Sequence, residues 1–212
     1  LKAGDETIRL NLANRSLVAI KGDPTMPGVG FTHAFGLWEK AELARHKRIL
    51  ADGLGLFERT FGFQSTTFTP PAQKLHDDLF SFIETLGVRA IDKPFFCVRR
   101  LDRERQKREI NVLGRKGHHV SIVRNVVFEP TADRNFDSVD LALSQISAAF
   151  RWKRPAIVSS HRVNFAGHID PSNRAFGLGA LKHLLREIVN RWPEATFVGA
   201  DSLAAKIEGT SK

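Results

Sequence analysis

The sequence predicts an α/β protein with a largely parallel sheet, and three observations carry that reading. Four long stretches repeat apolar residues at helical spacing. Between them lie short runs of apolar and β-branched residues with no polar alternation, as in strands covered on both faces. The two kinds of segment alternate along the chain, an order that implies βαβ units. At 212 residues, 42% hydrophobic and 26% charged, the chain has the balance of a globular protein able to bury a large core. No fixed-period repeat and no low-complexity linker interrupts it, so one α/β domain over 1–212 is expected.

The elements follow in order. Leu43, Leu50, Leu54, Phe57 and Phe61, reaching back to Trp38, mark the longest helix. Gly53 and Gly55 lie inside it and invite a bend, at about 1 kcal/mol each relative to Ala. A strand is expected at Ser65–Thr69. Leu75, Leu79, Phe82, Ile83 and Leu86 then form a second stripe ending at Gly87, the residue suited to a left-handed cap. Strands at Val88–Ile91 and Phe95–Val98 precede a basic stretch at 99–117, whose Glu104/Arg108 and Arg105/Glu109 pairs suit a short solvated helix or an excursion beyond the sheet. After a strand at Val120–Val123, Asp137 and Ser138 can cap a helix carried by Val139, Leu143, Ile146 and Phe150. The strand Ala156–Ser159 leads to a helix from Pro171 to Trp192 with Leu181, Leu184, Leu185 and Ile188 on one stripe, Ser172 or Asn173 at its start and Pro193 at its end. A last strand is expected at Thr196–Val198.

Composition narrows the function. The net charge is +9 and the isoelectric point about 10.1. Nine basic residues against three acidic ones between Arg99 and Arg124 supply six of those charges. Such an excess fits an acidic partner: nucleic acid, an anionic lipid surface or an anionic polysaccharide. The rest of the chain is near neutral, which argues against a chain-wide nucleic-acid footprint, and the basic stretch reads first as a charged surface insertion and second as a binding surface for an anionic glycan or phosphate. One cysteine, Cys97, excludes an intrachain disulfide and any multi-cysteine metal site. No apolar run approaches the ~18 residues of a membrane helix. With 16 Phe, 3 Trp and no Tyr, the aromatic residues read mainly as packing.

Sites in parallel α/β folds gather at the carboxyl ends of strands. There, Ser159-Ser160-His161-Arg162-Val163-Asn164 is the densest polar cluster. His161 can exchange a proton near neutral pH, Arg162 can hold an anion, and Asn164 can donate to a developing oxyanion. Thr69, Pro70 and Pro71 follow one strand, Arg124 and Asn125 another, and Asp170 lies just beyond His161; these are the expected substrate-binding residues. There is no phosphate-binding Walker loop, no His-Glu-x-x-His and no Gly-x-Ser-x-Gly elbow, and Gly177-Leu178-Gly179 is too short for a dinucleotide fingerprint.

Phe68-Thr69-Pro70-Pro71, between a helix ending Phe61-Gly62 and one ending Leu86-Gly87-Val88, resembles a landmark of the polysaccharide deacetylases (the NodB-homology family, carbohydrate esterase family 4), where a strand ends in Phe-Arg-Pro-Pro-Tyr. Ile157-Val158-Ser159-Ser160-His161 is similar to the family's strand that runs into a histidine, and Leu181–Leu185 with Thr196–Val198 to its closing helix and strand. The likeness covers about 33–207. It implies a distorted (β/α) barrel that removes acetyl groups from a glycan, with a divalent metal, zinc for instance, held by one Asp and two His. His33 would be a metal ligand and His161 the acid near the leaving group. Val29 stands where the first paired His belongs, Thr69 where the Arg does and Ala72 where the Tyr does. The opening Thr-Phe-Asp-Asp-Gly is not in this chain, which starts at Leu1, and would precede it; the metal site within the chain is therefore incomplete. The alternative is a non-catalytic barrel that binds an acidic or acetylated polysaccharide. An extracytoplasmic place, in the cell envelope or periplasm, suits either.

Overall fold

The computed structural model describes residues 35, 41–100, 106–117 and 119–209. His33 and Trp38 lie outside them, as do Arg103 and Arg105 of the basic stretch. The described chain is mixed α/β and divides into two compact units, one made of residues up to 122 with 204–212, the other of 123–203. Each is described by itself.

In the first unit, helix α1 (Glu42–Phe61) runs unbroken through Gly53 and Gly55 and buries His46 and Leu50. Strand β1 (Thr67–Phe68) pairs in parallel with β2 (Ala90–Lys93), and helix α2 (Asp77–Thr85) connects them. Gly87 takes a φ of 90° just past α2, where its N–H donates to Glu84 O at 3.0 Å. A side chain would strain that left-handed geometry. The sheet order is β1, β2, β6 (His119–Val123), β5 (Gly114–Lys116), with β5 and β6 antiparallel. Every residue of β2 and β6 is buried, the polar Asp92, Lys93, His119 and Ser121 included. Leu50, Leu79, Ile83, Val88 and Ile91 form the core with Phe35.

Of the two forms expected for the basic stretch, the structure has the excursion beyond the sheet. It forms a hairpin rather than a helix: β3 (Phe96–Arg100) pairs antiparallel with β4 (Gln106–Ile110) in a two-stranded sheet of its own, and Asn111 Nδ2 closes its base on Pro94 O at 2.8 Å. Helical i,i+4 charge pairs are worth only tenths of a kcal/mol, so the Phe96–Ile110 pairing and the ladder outweigh them.

In the second unit, β7 (Val126–Val127) and β8 (Val158–Ser159) are parallel and joined through helix α3 (Ser138–Arg151), whose first turn is capped by Asp137 accepting from Asp140 N at 2.8 Å. Helix α4 (Pro171–Arg191) packs beside α3 over Val126, Phe128, Leu143, Ile146, Leu184 and Ile188. Trp192 meets Phe150 edge to face, whereas Trp152 is 77% exposed and not core. Thr196–Val198 pairs with no described strand and stays irregular ahead of helix α5 (Ala200–Gly209). No described helix is long and apolar enough to cross a membrane.

His46 supplies a pH prediction. It is buried edge-on to Phe35, and its Nδ1 has no hydrogen-bond partner. Burial, the leading cause, holds its protonation below the ordinary histidine value, helped by Arg45 and His76 and opposed by Glu42. The unfolded chain therefore binds a proton below about pH 6.5 that the folded chain resists, so stability falls as pH drops through that value. Thermal midpoints should be lower at pH 5.5 than at 7.5. His46→Leu should flatten that part of the slope; an unchanged slope would refute the assignment.

Candidate functional site

The second unit brings a polar cluster together by strand register. Val126 pairs with Val158 and Val127 with Ser159, and Phe128 N extends the ladder to Ser159 O at 2.9 Å. Two residues beyond the last pair, the parallel register sets Glu129 opposite His161 at the carboxyl ends of both strands. Glu129 Oε1 lies 2.7 Å from His161 Nδ1. A carboxylate only accepts, so the pairing assigns the ring proton to Nδ1 and leaves Nε2 as the outer nitrogen. The His161 side chain is 71% exposed and that of Glu129 23%.

Asn164 organises the cluster from beneath. It is 1% exposed, in the short 3₁₀ turn Arg162–Phe165. Its Nδ2 donates to Glu129 Oε2 at 2.6 Å and to His161 O at 2.8 Å. Its Oδ1 accepts from Thr131 Oγ1 at 2.8 Å and from Thr131 N at 3.2 Å. These bonds fix the second Glu129 oxygen, so the carboxylate has little freedom to turn from His161. Helix α4 clamps the turn from the other side: Asn173 Nδ2 donates to Val163 O at 2.7 Å and to Ala166 O at 3.1 Å. Gly177 lies so close that a Cβ there would sit 1.8 Å from Asn164 O.

The remaining expected residues are placed as follows. Arg162 is exposed beside His161. Asp170 caps α4, accepting from Ser172 Oγ at 2.7 Å and from Ser172 N at 2.9 Å, with Arg134 at 3.6 Å. The Ser172 hydroxyl and N–H hold its carboxyl below the usual carboxylate range, with a smaller push from Arg134. Arg124 and Asn125 precede β7 and so lie at the opposite end of the strand pair from His161. Asn125 joins the strands there, accepting from Ile157 N at 2.7 Å and donating to Pro155 O at 3.0 Å. Arg124 reaches Ser159 Oγ at 3.4 Å.

Thr69, Pro70 and Pro71 belong to the first unit, at the carboxyl end of β1. Thr69 is exposed and Pro70 buried. Just beyond, Ala72 and Gln73 both have φ above 50°, and Gln73 Nε2 donates to buried Asp92 Oδ1 at 2.9 Å. The same unit holds a buried polar chain that no sequence motif marks. Lys93 Nζ lies 3.0 Å from His119 Nε2, and His119 Nδ1 lies 2.9 Å from Glu84 Oε1. Phe80 stacks on the imidazole and lies beneath the Lys93 ammonium. An ammonium only donates, so Nε2 accepts and Nδ1–H donates to Glu84. His119→Phe keeps a ring but removes both bonds; urea unfolding should register a loss of about 2 kcal/mol, and a change under about 0.5 kcal/mol would show the bridge to be idle.

Among the described residues no three His, Cys, Asp or Glu side chains are grouped to hold a metal ion, and His161 engages Nδ1 with Glu129. The described donors do not make up a metal shell. What the cluster itself offers is proton exchange at His161 Nε2. Compared with protein-family models and with curated proteins, the chain matches none.

Proposed function

We propose that the chain is a polysaccharide deacetylase-like carbohydrate hydrolase that removes acetyl groups from a glycan, with His161 as its proton-transfer residue. The observation that carries this reading is the Glu129–His161 pair at 2.7 Å, formed at the carboxyl ends of two parallel strands with the His161 side chain largely exposed. Neutral His161 takes a proton at Nε2 from the water whose oxygen adds to the acetyl carbonyl, while Glu129 stabilises the imidazolium that forms. The imidazolium then gives that proton to the sugar oxygen or nitrogen as its bond to the acetyl carbon breaks, leaving acetate and the free hydroxyl or amine. Arg162 is placed to attract an acidic substrate. Asn164 is a positioning residue, because its amide is engaged inside the cluster. With the reading goes the proposal that the parallel strands belong to a distorted (β/α) barrel, and that His33 contributes to a divalent-metal site completed by residues beyond those described.

The test is acetate release from acetylated polysaccharides, O-acetylated xylan and partly N-acetylated glucosamine polymer, with and without added zinc. Release above the buffer rate, lost in a His161 variant, supports the reading. Glycan binding without acetate release would support the non-catalytic alternative, and neither binding nor release would overturn both.

A further inference from the structure

The β3–β4 hairpin presents an unusual face. Directly opposed residues of an antiparallel pair share a face, and alternate residues return to it. Phe96 opposes Ile110 and Val98 opposes Arg108, so these four side chains lie together; Val112 follows two residues after Ile110, just outside β4. Phe96 is 54% exposed, Val98 40%, Ile110 64% and Val112 69%. Arg108 is exposed next to them, one pair nearer the hairpin tip. Glu109 opposes Cys97 and so belongs to the other face, as does the exposed cation Lys107. By register the Arg100–Gln106 pair falls on this face too, so the face takes arginines at its tip end and no carboxylate among the described residues.

We propose that this hairpin docks on the surface of an anionic lipid bilayer. The apolar side chains enter below the headgroups, and Arg108, with its aliphatic stem along them, holds a lipid phosphate at the rim. Charge and shape select this occupant. A polyanionic glycan gains nothing from four exposed apolar side chains. Three of the four are aliphatic and offer bases no ring on which to stack, unlike the aromatic platforms of single-strand binders. A second copy packed face to face would bring like cations together. The anionic headgroup layer complements both features, and the positive surplus of the 99–124 stretch acts in the same direction.

Flotation of the full chain with phosphatidylcholine vesicles, with and without phosphatidylglycerol, tests the proposal. The chain should float with phosphatidylglycerol vesicles, and should dissociate from pure phosphatidylcholine and at high salt. Arg108→Ala should weaken binding about fivefold. Phe96→Thr combined with Ile110→Thr should weaken it at least about tenfold; threonine keeps strand propensity at both positions, so losing the cross-strand pair should lower the melting temperature only slightly, with the chain still folded. Equal binding to both vesicle types would overturn the proposal. So would an intact response in the Thr variant, which would mark a purely cationic contact with polyanions. Tighter binding to a single-stranded oligonucleotide, or a dimer in sedimentation that the Thr variant dissolves, would overturn it in favour of those occupants.

Discussion

Replacing His161 by Ala should reduce acetate release by about 10²–10⁴-fold, the range a positioned acid–base group contributes. Stability should change by less than about 1 kcal/mol, because the His161 side chain is 71% exposed and its bond to Glu129 adds little to folding. The two readouts belong together. A side chain that merely tied its loop to Glu129 would show the opposite pattern, with a lowered melting temperature and unaltered turnover per folded molecule. His161→Gln sharpens the comparison, since it keeps a polar group near Glu129 but cannot exchange a proton at neutral pH.

The second large effect is expected at Gly177, at some distance along the chain from His161. Gly177→Ala puts a methyl group 1.8 Å from Asn164 O, backbone against backbone, so α4 or the Arg162–Phe165 turn must move. A loss of about 3 kcal/mol is expected. Because Asn164 holds Glu129 and the His161 carbonyl, turnover of the remaining folded protein should fall as well. Gly179, two residues on, is the control, as a Cβ there meets nothing within 4 Å. Gly179→Ala should be neutral or stabilising by up to about 1 kcal/mol through helix propensity. Equal stability of the two alanine variants in urea would show that the helix does not clamp the turn.

The two glycines also show where sequence reasoning ends. They look alike in Gly177-Leu178-Gly179, and only the packing of α4 on the turn separates them. Helices α2, α3 and α4 are legible because their signals are local: apolar period, a capping residue and a stop. Expected bounds come within two residues at α3 and α4, although Asp170 rather than Ser172 or Asn173 caps α4. Strand β6 is legible from Val120–Val123, whereas Val88–Ile91 marks only the start of β2, which runs on through Asp92 and Lys93. What the sequence does not show locally is pairing. Thr196–Val198 has strand composition and no described partner, while 106–110, rich in long polar side chains, pairs because Ile110 meets Phe96.

The same limit explains the site. His161 stands out as a histidine directly after a strand, and Asn164 as its polar neighbour. Glu129 does not, because a two-residue strand leaves almost no periodic signal and its register with β8 is a long-range property. The available signal is Val126-Val127-Phe128, an apolar run ending in a carboxylate ahead of Pro130. Arg124 and Asn125 read as the end of the preceding strand; with β7 recognised, they fall at its start. The hairpin's helical pattern is likewise real but weak, outweighed by cross-strand contacts.

The central claim is that Glu129 makes His161 a working proton-transfer group, and one kinetic comparison tests it most directly. Acetate release should be followed for the unaltered chain and for Glu129→Gln across a range of acetylated-glycan concentrations. Gln keeps the size and can still accept from one donor, but it cannot stabilise an imidazolium. The account predicts a kcat lowered by about 10–100-fold with KM unchanged, the pattern of an interaction made in the transition state. An unchanged kcat, or a raised KM with kcat intact, would contradict it.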